Sequence, residues 1–318
     1  MTDDRGVRWE VDDRPASLYT RAYLAGMWLA RDKRAFEGAA HTLHTARKRQ
    51  RSGDRPPTAL TRLRARVSTD TIAGMTVWSV RPRRGAPVAR VVYLHGGGYV
   101  HPLSDDYWRL VRALVTAPAE VVVPAYPLAP DATVDDVLPR LLEVETSAAG
   151  SGPDLPTILM GDSAGGALVL AMATTMRDRD GGLPAAVVAL SPWLDATLDE
   201  DAVRELEASD PMLAESGLRA AGRWWAGIRR PSDPLVSPVH ADLRGLPPID
   251  IFIGERDILR PAVGDLAERA AREDVDLRVH EVKAMFHVWM TRLIPEGRRT
   301  RRELVGLVRR AAGITLDG

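Results

Sequence analysis

One serine of the chain has a glycine two residues before it and another two residues after it, in Gly161-Asp-Ser-Ala-Gly-Gly166. An apolar run typical of a strand, 157–160, precedes the segment, and a run of small and apolar residues typical of a helix follows it. Flanking glycines remove side chains that would clash in a tight strand-to-helix turn, so the serine hydroxyl is exposed. We predict that Ser163 is a nucleophile, that Asp162 supports its turn, and that the Ala164 amide points at a developing oxyanion.

Three consecutive glycines follow another predicted strand, 90–94, in His95-Gly-Gly-Gly-Tyr99. Glycines let backbone amides approach a ligand that side chains would keep away. In esterases such a loop donates hydrogen bonds to the oxyanion, each worth about 3 kcal/mol in the transition state. A phosphate loop is excluded, because no Gly-Lys-Ser/Thr follows and the spacing is not Gly-x-Gly-x-x-Gly. We expect His95 and Gly96 to support this loop.

A serine nucleophile needs a general base, and in this arrangement the histidine comes last in the chain. Three histidines follow Ser163, namely His240, His280 and His287. His280 lies inside a predicted strand, 277–282, and His240 lies in a proline-rich loop. His287 follows that strand in a loop before the last helix, so we predict that it is the base.

The acid that orients this base should end the preceding strand, 249–253. Glu255 and Asp257 both follow it, in Gly254-Glu-Arg-Asp257. Position favours Asp257, for which capping of the next helix is the alternative role.

The elements that position these residues alternate along the chain. Seven short runs rich in Val, Ile and Leu are predicted strands: Thr76–Val80, Arg90–Leu94, Val121–Ala125, Thr157–Met160, Val187–Leu190, Ile249–Ile253 and Leu277–Val282. Helical patterns lie between them, at 104–117, 133–149, 164–177, 262–273 and 299–312. The alternation predicts an α/β fold, with a mostly parallel sheet of about eight strands and helices on both faces. Such sheets bind ligands at the carboxyl edge of the strands.

Two segments depart from this rhythm and predict a helical cap over the carboxyl edge. Residues 1–58 have helix-like apolar spacing, and the interval 195–235 is long and acidic at first, then apolar and aromatic. The remaining chain, 59–318, would be the catalytic domain. Five aromatic residues are candidates for the substrate pocket: Tyr99, Trp193, Trp224, Trp225 and Trp289. For Trp224 and Trp225, packing of the cap onto the core is an equal alternative.

Composition excludes several function classes. The 318 residues include 43 basic and 43 acidic side chains, so there is no general attraction to nucleic acid or anionic membrane, and we expect neither partner. The absence of cysteine excludes a catalytic cysteine, thiolate metal sites and iron–sulfur clusters. The start lacks the features of a secretory signal, and the uncharged run 163–176 is too short to span a bilayer. We expect a cytoplasmic protein without stable membrane association.

Six segments together resemble the hormone-sensitive-lipase-like serine esterases of the α/β-hydrolase fold. They are His95-Gly-Gly-Gly-Tyr99, Tyr126-Pro-Leu-Ala-Pro130, Gly161-Asp-Ser-Ala-Gly-Gly166, Ser191-Pro-Trp193, Asp233-Pro-Leu-Val-Ser-Pro238 and Gly254-Glu-Arg-Asp257. The resemblance runs from about residue 62 to the C-terminus. It implies Asp257 as the acid, His287 as the base, and Gly97, Gly98 and Ala164 as oxyanion donors. It also implies a cap built from N-terminal helices and an insertion, and a homodimer through the edge strand 277–282.

The predicted function is hydrolysis of short-chain acyl or acetyl esters through an acyl-enzyme, without a metal or cofactor. An amidase, deacetylase or lactone hydrolase with the same triad is the alternative. Small-molecule receptors of this fold have lost the histidine, so His287 opposes a non-catalytic role. Ser163 excludes a haloalkane dehalogenase or epoxide hydrolase, which need a carboxylate nucleophile.

Overall fold

The computed structural model describes residues 6–150, 154–179, 181–198 and 201–314. The nine strands of this part are β1 Val7–Asp12, β2 Ala65–Ile72, β3 Met75–Pro82, β4 Ala89–Leu94, β5 Ala119–Pro124, β6 Thr157–Asp162, β7 Ala186–Leu190, β8 Ile249–Gly254 and β9 Leu277–Val282. Its α-helices are α1 Leu18–Ala30, α2 Ala39–Gln50, α3 Ala59–Arg64, α4 Tyr107–Leu114, α5 Val134–Gly150, α6 Ala164–Asp178, α7 Asp201–Glu207, α8 Glu215–Ala226, α9 Arg260–Arg272 and α10 Pro295–Ala311. Short 3₁₀ segments lie at Asp32–Phe36, Pro238–His240 and Trp289–Thr291.

All nine strands form one sheet in the order β1-β9-β8-β7-β6-β4-β5-β3-β2. Every neighbouring pair from β1 to β5 is parallel, whereas β3 runs antiparallel to both β5 and β2. The predicted α/β fold with a mostly parallel sheet is confirmed, with nine strands instead of about eight. Because β4, β6, β8 and β9 are parallel, the loops that follow them all leave the same edge of the sheet.

The predicted edge strand is internal. In β9, Leu277 is in register with Ile249 of β8 on one side and with Val7 of β1 on the other. Prediction of 277–282 as an edge is therefore wrong, and a dimer through β9 would require β1 to leave the sheet. Trp9 of β1 secures the pairing, since its indole N–H donates to Glu281 at 2.8 Å. Residues Val7–Asp12 thus belong to the sheet and not to the predicted cap segment 1–58.

Helices cover both faces of the sheet, and alternate side chains of each buried strand point to opposite faces. In β4, Val92 and Leu94 pack into the core beneath α5, α6 and α9. Val91 and Tyr93 pack into the second core, beneath α1, α4 and α10. This two-sided burial explains why β4 is apolar along most of its length.

Parts of the two predicted cap segments meet above the carboxyl edge. The 3₁₀ segment Asp32–Phe36 and α2 pack against α8. This packing is close, because a Cβ placed on Gly217 of α8 would lie 2.0 Å from the Phe36 carbonyl oxygen. The ring of Phe36 also approaches Gly98 of the glycine loop. The cap bounds 1–58 and 195–235 otherwise stay a prediction, and residues 199 and 200 lie outside the described part.

Candidate active site

Ser163 occupies the turn between β6 and α6. Its backbone lies at φ 52° and ψ −119°, a conformation that non-glycine residues rarely adopt and that marks strain at functional sites. The turn needs glycine at both ends, since a Cβ on Gly161 would lie 2.3 Å from the Gly165 carbonyl oxygen. Ser163 donates its N–H to Leu190 of β7 at 2.8 Å. Its side chain lines a cavity of about 450 Å³.

The glycine loop borders the same cavity. Gly97 and Gly98 both line it and both have positive φ, 112° and 62°, which favours glycine. In the described ranges, the backbone N–H groups of Gly97, Gly98 and Ala164 donate to no other residue. These three amides are therefore free to donate to a ligand oxygen next to Ser163.

Asp162 joins the glycine loop to the serine turn. Its fully buried carboxylate accepts hydrogen bonds from the Gly96 amide at 2.9 Å and the Tyr93 hydroxyl at 2.5 Å. Burial raises the pKa of Asp162 to about 6. His95 is also fully buried; its Nδ1–H donates to the Gly96 carbonyl at 2.7 Å and its ring stacks on Tyr126. Through these contacts Asp162 and His95 join the glycine loop to the serine turn and to Tyr126.

His287 and Asp257 form a buried pair on the neighbouring loops after β9 and β8. His287 Nδ1 lies 2.8 Å from Asp257 Oδ2, and the two side chains are 3% and 0% exposed. The second carboxylate oxygen of Asp257 accepts the Leu259 amide at 3.1 Å. The Val288 amide donates to the Ser191 hydroxyl, which secures the histidine loop. His287 lines the same cavity as Ser163, so the structure brings all three predicted residues to one place.

The charges around His287 favour its protonated form. Burial by itself lowers the pKa of His287, but the Asp257 carboxylate raises it through its charge and its hydrogen bond. Asp210 and Asp162 add further negative charge, and the net result is a raised pKa. The site is therefore electrostatically prepared for an imidazolium.

Asp210 is a residue of this site that sequence reasoning missed. It is fully buried between α7 and α8, and one carboxylate oxygen accepts the amides of Met212 and Leu213 at 2.7 and 2.9 Å. The other accepts the amide of Ile258, next to Asp257, at 3.1 Å. Burial and the neighbouring Asp257 charge raise the pKa of Asp210 to about 6. In the sequence, Asp210 looks like the surface acids of its segment. The one available signal was Asp210-Pro211 followed by apolar residues, which indicates a turn.

The alternative bases, His240 and His280, and the alternative acid, Glu255, do not line the cavity of Ser163. His280 bonds Asp250 at 2.7 Å and stacks on Phe252, and it does not line the cavity of Ser163. His240 is exposed on the 3₁₀ segment after Pro238. Glu255 accepts the Ala284 amide at 2.8 Å and so supports the histidine loop without bonding the imidazole.

None of the five aromatic residues predicted for the substrate pocket lines this cavity. Tyr99 stacks between Trp193 and Trp225, with ring centroids 5.3 and 4.3 Å away. Trp224 packs half-buried against the same core, and Trp289 is fully buried and donates to Thr300. The prediction that these five residues line the substrate pocket is therefore wrong. Tyr99, Trp193 and Trp225 form a buried aromatic stack, which agrees with the alternative that Trp225 packs the cap onto the core.

Other residues form the cavity wall. Its apolar side chains are Phe36, Met212, Leu213, Leu218 and Val288. Its polar side chains include Arg49, Arg55, His101, Asp106, Tyr107 and Arg292. The wall is therefore part apolar and part basic, and its aromatic side chains are Phe36 and Tyr107 instead of the five predicted ones.

The described ranges contain neither a cluster of metal ligands nor a helix suited to a membrane. No group of three or more His, Asp or Glu side chains there is arranged to hold a metal ion. None of the helices described there combines the length and the apolar character that crossing a bilayer requires.

The known proteins that this chain resembles are α/β hydrolases and esterases. A family model described as α/β hydrolase fold matches residues 91–291. An acetyl-hydrolase from Streptomyces hygroscopicus is 34% identical over 253 residues, which cover 76% of this chain and 82% of that protein. The carboxylesterase NlhH of Mycobacterium tuberculosis is 33% identical over 268 residues, 78% of this chain and 82% of its own. A solved structure of an esterase from the bacterial hormone-sensitive lipase family has 25% identity and a TM-score of 0.80, covering 94% of this chain and 100% of that one.

Proposed function

This chain belongs to the hormone-sensitive-lipase-like serine esterases of the α/β-hydrolase fold, and we propose that Ser163, His287 and Asp257 are its catalytic triad. One observation carries the proposal. His287, whose Nδ1 lies 2.8 Å from the buried Asp257 carboxylate, lines the same cavity as a serine in a strained strand-to-helix turn. A solvated histidine or an ordinary turn would not require both features at one cavity.

In the proposed first step, Ser163 attacks the ester carbonyl while His287 Nε2 takes its proton. Asp257 holds Nδ1–H, which leaves Nε2 free to accept, and its charge stabilises the imidazolium that forms. The amides of Gly97, Gly98 and Ala164 donate to the tetrahedral oxyanion. His287 then protonates the leaving alcohol, and an acyl-enzyme remains on Ser163.

In the second step, His287 removes a proton from water, which attacks the acyl carbonyl. The same amides stabilise the second oxyanion, and the proton returns to Ser163 as the acid leaves. The raised pKa of His287 suits both steps, because an imidazolium must form and persist long enough to protonate the leaving group.

We propose that the substrates are esters of short acids, from acetyl to about hexanoyl. A cavity of about 450 Å³ with a partly basic wall supports this, as does the relative named acetyl-hydrolase. Each methylene that fits contributes about 0.8 kcal/mol of burial. We therefore expect kcat/KM to rise with acyl length and then fall once the cavity is full.

Labelling with a fluorophosphonate tests the nucleophile. Ser52 and Ser104 also line the cavity, so the labelled peptide must be mapped by mass spectrometry. We expect the adduct on Ser163 alone, and Ser163→Ala should lower kcat by about 10⁶-fold without unfolding the protein. An adduct on Ser52 or Ser104, or a Ser163→Ala enzyme that keeps a tenth of wild-type activity, contradicts the assignment.

A panel of p-nitrophenyl esters, from acetyl to long acyl chains, tests the substrate class. The outer face of α1 exposes the large hydrophobic residues Leu18, Tyr19 and Leu29, and such a surface is where a lipase would contact aggregated substrate. The panel therefore includes substrate concentrations above and below the micelle threshold. We expect a maximum at short chains and no jump in rate at that threshold. A maximum at twelve carbons or more, or such a jump, would identify a lipase. Amide and lactone substrates with the same acyl group separate the deacetylase and lactonase alternatives.

A further inference from the structure

The cavity beside Ser163 has a polar part that the proposed triad does not use. His101, Arg49 and Arg55 line it. Arg49 and Arg55 come before the glycine loop in the chain, and His101 comes just after it. None of the three takes part in the acyl-transfer steps proposed above.

His101 is buried without a hydrogen-bond partner. Its side chain is only 5% exposed, and in the described part of the chain neither ring nitrogen finds a donor or acceptor. Burial, together with the charge of Arg49, lowers the pKa of His101 to about 3, so the ring is neutral at pH 7 with one donor and one acceptor. Buried polar groups are nearly always hydrogen-bonded. An unpartnered imidazole in the wall of a substrate cavity therefore points to a bond made by the bound molecule.

Arg49 and Arg55 bring positive charge to the same wall. Both residues are exposed overall, and partial burial of the Arg49 guanidinium lowers its pKa, although an arginine keeps its charge at pH 7. Neither forms an ion pair with a described carboxylate, whereas Arg292, the third arginine of the wall, pairs with Asp106. The other acid of the wall, Asp162, is fully buried and held by Tyr93 and Gly96. The wall therefore carries an excess of positive charge.

We propose that Arg49, Arg55 and His101 form a subsite for an anionic group of the substrate, a carboxylate in particular. The inference rests on the proposed esterase function and narrows its substrate class to short esters that carry a second, negatively charged group. The planar fork of arginine matches a carboxylate, and a neutral imidazole adds one N–H donor. The carboxylate belongs either to the acyl part or to the alcohol part of the ester.

Two pairs of esters distinguish these positions. The first compares the 4-nitrophenyl monoester of glutaric acid with its methyl-capped form, in which the acyl-side carboxylate is neutralised. The second compares 4-acetoxybenzoic acid with its methyl ester, which removes the charge on the alcohol side. Wild-type enzyme should prefer the charged member of at least one pair by tenfold or more in kcat/KM, as expected for a hydrogen bond to a charged group. The preference should shrink as salt is raised.

Substitutions locate the effect. Arg49→Gln and Arg55→Gln should each lower the charged-to-neutral ratio about tenfold, and Arg49→Lys should lower it less because the charge is kept. Arg51→Gln is the matched control, since Arg51 is exposed at the end of α2 and does not line the cavity. The ratio is measured within each variant, so a general loss of activity cancels.

The outcomes separate the two proposals. If the neutral esters are hydrolysed and neither charged member is preferred, or if both glutamine variants keep the wild-type ratio, the anionic subsite is refuted while the esterase proposal stands. If no ester is hydrolysed and the fluorophosphonate labels no serine, both proposals fail. Loss of the ratio in Arg51→Gln as well would attribute it to general surface charge and would also refute the subsite.

Discussion

Asp257→Asn is the substitution that tests the triad most directly. One oxygen of Asp257 accepts the Leu259 amide and the other faces His287 Nδ1. In asparagine only the carbonyl oxygen can accept the Leu259 N–H, so the amide NH₂ turns toward His287. Nδ1 must then be an acceptor, and the ring proton moves to Nε2. In that tautomer His287 cannot take the proton of Ser163.

The expected loss follows from this change of tautomer. The corresponding substitution in a serine protease lowers kcat by roughly 10⁴, equivalent to about 5.4 kcal/mol of transition-state stabilisation. We expect the same order here, because the pair is fully buried and water cannot replace the carboxylate. Glu255→Gln is the matched control. Its amide oxygen can still accept the Ala284 N–H, so kcat should fall less than tenfold.

The assay is the initial rate of p-nitrophenyl acetate hydrolysis at pH 8, with urea unfolding curves to establish that each variant is folded. A folded Asp257→Asn enzyme with a tenth or more of wild-type kcat refutes the tautomer argument. A larger loss in Glu255→Gln than in Asp257→Asn would assign the acid to Glu255.

Three further outcomes are expected. Gly96→Ala places a Cβ 2.3 Å from Asp162, about 1 Å closer than ordinary van der Waals contact, so the glycine loop must shift and kcat/KM should fall about 100-fold. The control is Gly264→Ala, whose Cβ meets nothing within 4 Å and which should leave kcat/KM unchanged. Asp210→Asn removes a charge that raises the pKa of His287, so the acidic limb of the kcat/KM profile should move to lower pH, and an unmoved limb contradicts this coupling. Because the folded-state pKa of Asp210 is raised from 3.8 to about 6, its buried charge destabilises the wild type as pH rises through that range. Relative to wild type, the unfolding free energy of Asp210→Asn should therefore increase by about 2 kcal/mol between pH 4.5 and pH 8, measured by urea titration, and a constant difference would refute the raised pKa.

Sequence alone was sufficient for the elements that carry the proposed triad. Strand β9 has the predicted bounds, Leu277–Val282, and the strand and helix on either side of Ser163 lie where the pattern placed them. These features depend on short-range constraints: period-two burial, and glycines that a tight turn cannot do without. The chain order of serine, acid and histidine then identified His287 as the candidate base, because each of the three residues follows a strand of its own and the histidine comes last.

Strand order was decided by the tertiary structure, because pairing joins segments that are distant in sequence. Val7–Asp12 alternates apolar and charged residues, a pattern typical of a strand, but nothing local shows that it pairs with β9 across more than 260 residues. The same limit hid Asp210, whose bond to Ile258 spans 48 positions. It also misplaced Tyr99 and the four tryptophans, since the size and hydrophobicity of an aromatic ring favour burial but do not indicate which cavity or core the ring joins. The motifs that carry the proposed triad were readable locally, whereas the wall of the cavity beside Ser163 forms only where the loops, the cap helices and the sheet edge meet, because its residues are distant in sequence.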